Sequence, residues 1–157
     1  MAYADADWAG DPINRKSVTS YVVKLAGSVV SWKSRKQKTL AHSSTEAEYM
    51  ALSDASRQIS WIQNLYKEIG FKIESTILCG DNQGAIFIGS NPTTEKRTKH
   101  IDIRFHYIRE CIEEGKIILY YIPTKEQIAD ILTKSLSFDK FKYLRSKLGL
   151  IVRDSRQ

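Results

Sequence analysis

From position 48 to position 69, residues that can be buried recur at intervals of three and four, the spacing of one face of an α-helix. The positions are Glu48, Ala51, Leu52, Ala55, Ile59, Ile62, Tyr66 and Ile69. Seven of these side chains can be buried without electrostatic cost, and the one that heads the stripe is a carboxylate. Glu46 lies about 200° away around the same helix and can stay in solvent. A charge at the head of a buried stripe is costly unless it is paired or binds metal. On this stretch alone the alternative stays open, that Glu48 sits at the exposed lip of the stripe as a first-turn acid. Ser43 or Ser44 can cap the helix, and Gly70 ends it after Ile69.

The pattern on either side is different. A very short strand over Met1–Asp5 precedes the turn residues Gly10, Asp11 and Pro12. So abrupt an opening is expected of a chain cut from something longer. β-Branched and aromatic residues over Ser17–Lys24 and Ser28–Trp32, separated by Ala26-Gly27, predict two more strands of an antiparallel meander. After the long helix, Lys72–Gly80 holds a strand whose Ile77-Leu78-Cys79 core predicts burial on both faces, as in a central parallel strand. Gln83–Ser90 is a short helix ended by Asn91-Pro92, and Thr93–Thr98 is a polar loop. Lys99–Glu114 is a second long helix, and Lys116–Ile122 a fifth strand. A third helix is predicted from Lys125 to about Lys134, and a last one over 137–148. The order predicts an α/β domain over 1–150, a mixed five-stranded sheet with helices on its faces, followed by a flexible tail over 151–157.

Composition changes this picture little. A chain of 157 residues suits one domain that buries roughly 70% of its unfolded surface. Cys79 and Cys111 are its only cysteines and lie in no zinc-type spacing, which fits a reducing intracellular setting. No apolar run approaches the ~20 residues of a membrane span. Charge adds more: Lys+Arg 24 against Asp+Glu 18 leaves +6, which suits a polyanionic partner. Lys33-Ser34-Arg35-Lys36-Gln37-Lys38 is either a solvated loop or a phosphate contact.

Four carboxylates fall at consistent ends of elements. Asp5 ends the first strand, Glu48 heads the first long helix, Asp81 ends the fourth strand, and Asp130 lies in the helix after the fifth. In open α/β sheets, sites form beyond the carboxyl ends of neighbouring parallel strands. Oxygen ligands without paired thiols or histidines select Mg²⁺ or Mn²⁺ over zinc. Two such ions can activate a water and stabilise a leaving oxygen in phosphodiester cleavage.

Several blocks then carry a resemblance. They are Tyr3–Asp11, Ser31–Gln37, Ser43–Tyr49, Asp81–Ile86, Thr98–His106 and Gln127–Lys134. In this order, across almost the whole chain, they resemble the ribonuclease H domain of copia-type LTR retrotransposon polyproteins. The resemblance implies the RNase H-like fold, with spatial strand order 3-2-1-4-5. It implies an Asp-Glu-Asp-Asp site at Asp5, Glu48, Asp81 and Asp130, binding two Mg²⁺ ions for which Mn²⁺ can substitute. The implied activity is hydrolysis of the RNA strand of RNA–DNA hybrids, leaving a 3′-hydroxyl and a 5′-phosphate. Glu48 is preferred to Glu46 because the fold places small residues three and seven positions on, here Ala51 and Ala55. Asp5 is preferred to Asp7 because it directly follows the strand, and Asp7 and His100 are auxiliary candidates. Nucleic-acid contacts fall to Lys33, Arg35, Lys36, Lys38, Asn82 and Gln83, with Lys96, Arg97, Lys99 and Arg104 as a second patch. Trp8 is expected in the core.

The implied partners are the hybrid and an upstream reverse transcriptase domain, in a monomer within a cytoplasmic virus-like particle or the nucleus. Two departures stand out. The short segment Ile122–Glu126 lacks the histidine that bacterial and retroviral relatives carry before the last aspartate, and there is no long basic protrusion. The alternatives are a non-catalytic nucleic-acid-binding or scaffolding module derived from a retroelement, and another two-metal nuclease of the same fold.

Overall fold

The structure is a computed structural model that describes residues 1–91 and 99–151, with residues 99–105 described by their backbone alone. Five strands, β1 (Ala2–Asp7), β2 (Val18–Leu25), β3 (Ser28–Lys36), β4 (Thr76–Gly80) and β5 (Ile117–Tyr121), form one sheet in the order β3-β2-β1-β4-β5. β1, β2 and β3 are antiparallel neighbours, whereas β4 runs parallel to both β1 and β5. The helices are α1 (Ser44–Glu68), α2 (Gln83–Ser90), α3 (Lys99–Glu113) and α4 (Phe138–Lys147). Among the described residues, no helix is long and apolar enough to cross a membrane.

α1 begins and ends where its chemistry requires. Ser43 accepts a hydrogen bond from the Glu46 N–H at 3.1 Å, and Glu46 Oε2 accepts one from the His42 N–H at 2.8 Å. At the other end Gly70 takes φ 87°, so its N–H reaches the Lys67 carbonyl and the Phe71 N–H reaches that of Tyr66. Phe71 then meets Tyr66 edge-on, with ring centroids 6.2 Å apart, the apolar contact that accompanies this helix ending. Ser43→Ala is expected to lower stability by about 1 kcal/mol, read as a shift in the denaturation midpoint. No shift would mean that water replaces the cap.

The apolar stripe of α1 packs on β1, β2 and β4. Ala47, Ala51 and Ala55 on the helix and Ala2, Ala4 and Ala6 on β1 all belong to the buried core. Alanine on both surfaces lets the helix pack close against the strand, which brings the Glu48 carboxylate to the end of the sheet beside Asp5 and Asp81. The stripe is shorter than its spacing suggests: Ile62 is buried, but Ile69 is 59% exposed where the helix runs past the sheet. On the opposite face of the sheet, two 3-10 turns (Thr124–Glu126 and Ile128–Leu132) and α4 bury Ile128, Ala129 and Leu144.

Four local expectations are corrected. Residues 125–134 are not a helix but those two turns, because their hydrogen-bonding groups are used elsewhere: Ala129 O accepts from Ser20 Oγ at 2.8 Å and Leu132 O from Ser34 Oγ at 2.6 Å. The basic run is not a loop, since β3 continues through Lys36 and pairs with β2 up to Val18–Lys36. A charged edge strand is a common way to prevent edge-to-edge association. Ile77 is exposed, so β4 is buried on both faces only from Leu78 to Gly80. Trp8 is 47% exposed, with its indole N–H on the Ala41 carbonyl at 3.1 Å, and is not a core residue.

Candidate active site

The parallel ladder between β1 and β4 has only two rungs, Ala2–Leu78 and Tyr3–Cys79. Asp5 follows Tyr3 by two residues and Asp81 follows Cys79 by two, so both aspartates fall at one level on the same side of the pleat. Beyond the last rung the two strands part, and the aspartates line the opening. Asp5 does not end its strand as expected, because β1 continues against β2 to Asp7. Loss of the β4 neighbour, rather than the end of the strand, is what opens the sheet at Asp5.

Asp130 arrives from the second 3-10 turn. That turn is fastened to the sheet by side chains: Gln127 donates to the Ala4 carbonyl at 2.9 Å and accepts from the Ala129 N–H at 3.3 Å, while Ser20 and Ser34 hold the next carbonyls. Asp130 is thereby buried beside Asp5, and one oxygen from each of Asp5, Asp81 and Asp130 lies within 4.8 Å of the others. Glu48, 8% exposed, stands beside this trio and is not part of it, yet it is close enough to feel the charges of Asp5 and Asp81.

Crowding these acids into a buried site disfavours their ionised forms. Burial first, and then the charges of Asp5 and Asp81, push the Glu48 carboxyl up to about 9. Burial and the neighbouring Asp130 push Asp5 up to about 7, against the opposing pull of Lys134 and of a hydrogen bond from Thr133. Asp5 Oδ1 is buried and accepts no hydrogen bond, and the buried Asp130 Oδ1 meets only the Lys134 ammonium among the described residues. A set of oxygen donors with unsatisfied lone pairs and no soft ligand fits a hard divalent cation.

Three side chains that complete the site carry no obvious signal in the sequence. Thr133 donates to Asp5 Oδ2. Lys134 Nζ stands 2.8 Å from Asp130 Oδ1 and 4.0 Å from Asp5 Oδ1, and Lys140 of α4 pairs with Asp130 Oδ2. Lys134 follows Asp130 at a spacing of four, which could have suggested the pair, whereas Lys140 is brought in by the path of the chain.

The other candidates are dispersed. The carboxylate of Asp7 lies against Gly10, where an added Cβ would come within 1.9 Å of Asp7 Oδ2, and it is not in the aspartate trio. Asn82 Oδ1 caps α2 by accepting from the Ala85 N–H at 2.9 Å, and Gln83 is exposed in the first turn of that helix. Lys33 and Arg35 lie 2.9 and 3.5 Å from Asp54, Lys36 pairs with Asp11, and Lys38 is exposed. Part of the basic strand is therefore neutralised within the protein. Lys96 and Arg97 lie outside the described residues, as do the side chains of Lys99, His100 and Arg104.

No family model matches the chain. It is 40% identical over 150 residues, 95% of its length, to the retrovirus-related Pol polyprotein from transposon RE1 of Arabidopsis thaliana. It spans only 10% of that much longer protein. Among solved structures, LC11-RNase H1, isolated from compost and crystallised with an RNA/DNA hybrid, matches with a TM-score of 0.64. That match has 16% identity and covers 84% of this chain and 91% of the other. The foamy viral protease-reverse transcriptase in complex with RNA/DNA hybrid matches with a TM-score of 0.59 and 16% identity, over 84% of this chain and 19% of the other. By sequence the chain is a homologue of the retrovirus-related Pol polyproteins of transposons, and its fold is that of the solved RNase H structures it matches.

Proposed function

We propose that the chain is a ribonuclease H that cleaves the RNA strand of RNA–DNA hybrids by hydrolysis, with a water adding to phosphorus and the bond to the 3′-oxygen breaking. The observation that carries this reading is the convergence of Asp5, Asp81 and Asp130 within 4.8 Å, with the buried Glu48 beside them. The four carboxylates are the residues that would hold two divalent ions, Mg²⁺ or Mn²⁺. Such ions, when bound, would supply an activated water and a neutralised leaving oxygen. Asp5 is oriented for this by Thr133, and Asp130 by the Gln127, Ser20 and Ser34 contacts of its turn. The 2′-hydroxyls and A-like backbone of the hybrid would mark the strand to be cut. Lys38, with Lys33, Arg35 and Lys36 once their acidic partners are exchanged for phosphate, would contact the backbone. Affinity for the hybrid should then fall steeply with salt. The identity to a transposon Pol polyprotein supports an upstream reverse transcriptase as the partner domain.

The test uses the whole chain with a labelled hybrid and Mg²⁺ or Mn²⁺. Metal-dependent cleavage of the RNA strand is expected, with 5′-phosphate products, and Asp81→Asn should abolish it. Binding of the hybrid without cleavage would replace this reading with that of a scaffolding module. Cleavage that survives Asp81→Asn would displace the site.

A further inference from the structure

The four carboxylates are not equally supplied with positive charge. Both oxygens of Asp130 face ammonium groups: Lys134 Nζ is 2.8 Å from Oδ1, and Lys140 Nζ pairs with Oδ2. Lys134 also reaches towards Asp5, at 4.0 Å from Oδ1. Among the described residues, neither Glu48 nor Asp81 has an ion pair within 4.0 Å. The Asp5–Asp130 side of the opening therefore already contains a cation that belongs to the chain, whereas among the described residues the Glu48–Asp81 side has no ion-paired one and feels Lys134 only from further away.

We propose that Lys134 competes for the place of the ion that Asp5 and Asp130 would share, so that the protein binds two divalent ions with unequal affinity, the one beside Asp130 more weakly. The proposal rests on the ribonuclease reading for the existence of the ion sites and adds the residue that sets their order of filling. Two buried oxygens face Lys134: Asp5 Oδ1, which accepts no hydrogen bond, and Asp130 Oδ1, which is ion-paired to the ammonium at 2.8 Å. An ion entering there would meet the ligands it needs and an ammonium it must displace. Displacement is mechanically simple. The lysine backbone is tied to the turn by its N–H on the Asp130 carbonyl at 3.4 Å, but its side chain is 35% exposed and can swing into solvent or onto a substrate phosphate. Lys140 reaches Asp130 from α4 on the other oxygen, so Asp130 keeps a partner when Lys134 moves. On the Glu48–Asp81 side an ion has no ion-paired ammonium to displace among the described residues, and its charge relieves the repulsion among the acids. The lysine thus acts as a positioning residue for metal loading.

Isothermal titration of the whole chain with Mn²⁺ and with Mg²⁺ tests this without any activity assay. The wild type is expected to bind in two steps. Lys134→Met, which keeps the length of the side chain and removes the charge, should tighten the weaker step by about tenfold or more and leave the tighter one unchanged. Lys134→Arg should keep two unequal steps, and Lys142→Gln, exposed on α4, should behave as the wild type. A second reading comes from melting. Lys134→Met should melt lower than the wild type without metal and gain more on adding it, and Lys134→Gln serves if the Met variant does not fold. One ion in the wild type and two in Lys134→Met would also support the proposal. Unchanged steps in both neutral variants would overturn it and leave the ribonuclease reading standing. Absence of divalent-ion binding by the wild type would overturn both.

Discussion

Replacing Asp5 by asparagine is expected to abolish hydrolysis and, in metal-free buffer at pH 8, to raise the melting temperature. The two effects share a cause. Asp5 is 1% exposed, and its carboxyl is pushed up to about 7 first by burial and then by Asp130. Its unfolded value is near 3.8. Between those values the folded protein holds a proton that the unfolded chain has released, so stability falls as pH rises through this window and levels off above about 7. Glu48 extends the fall to about 9, from an unfolded value of 4.5. The asparagine of Asp5→Asn would carry no charge to desolvate and could still accept the hydrogen bond from Thr133. It would lose the attraction of Lys134, which at 4.0 Å is the smaller contribution. The melting temperature of the metal-free wild type should therefore drop from pH 5 to pH 8, and that of Asp5→Asn should drop less. Mg²⁺ should restore the wild type at pH 8 and do little for the variant. A fall in cleavage on the order of 10³-fold or more corresponds to about 4 kcal/mol of lost transition-state stabilisation. Reduced stability of Asp5→Asn at pH 8 without metal would show that Asp5 is a net stabilising charge and that the cluster is less repulsive than its burial implies.

What was legible in the chain follows from which interactions are local. The stripe from Glu48 to Ile62 needs only helical periodicity, and its alanines foretell the close approach to β1. Asp81 could be placed because it follows the end of β4, and Glu48 because it lies in the first turns of α1, whereas Asp5 sits inside β1, where the sequence shows an early strand but not where it loses its β4 neighbour. The strand order came from the resemblance, since pairing of β1 with β4 is a matter of chain path. Residues 125–134 differ from the expected helix because Ile128, Ile131 and Leu132 imitate helical spacing, while the deciding hydrogen bonds come from Ser20 and Ser34, far away in sequence. The extension of β3 through Lys36 was hidden for the opposite reason: a charged edge strand shows no apolar alternation, and its pairing is set by β2. Lys140 could not be found at all, because only the packing of α4 brings it to Asp130.

Gln127 offers the second large effect, and it separates placement of Asp130 from stability alone. The side chain is fully buried and makes two hydrogen bonds, to the Ala4 carbonyl and from the Ala129 N–H. Gln127→Ala leaves that carbonyl and that N–H without partners and opens a cavity, together a loss of about 2–4 kcal/mol. The strand carbonyl involved precedes Asp5, and the turn N–H precedes Asp130, so the substitution loosens both aspartates at once. Ile59→Ala is the comparison. It removes a side chain that is 1% exposed in α1 and costs about 2–5 kcal/mol. Ile59 lies about three turns along the helix from Glu48 and takes no part in the hydrogen bonds of the four carboxylates. Well below both melting temperatures, with hybrid and Mg²⁺ in excess, Gln127→Ala should lose about 10–100-fold in kcat, the loss typical of removing a partner that orients a metal ligand. Ile59→Ala should lose little. Its divalent-ion affinity should also stay near that of the wild type, while that of Gln127→Ala falls. Equal losses of kcat in the two variants would mean that the turn is positioned by its apolar contacts, with the Gln127 hydrogen bonds contributing stability only.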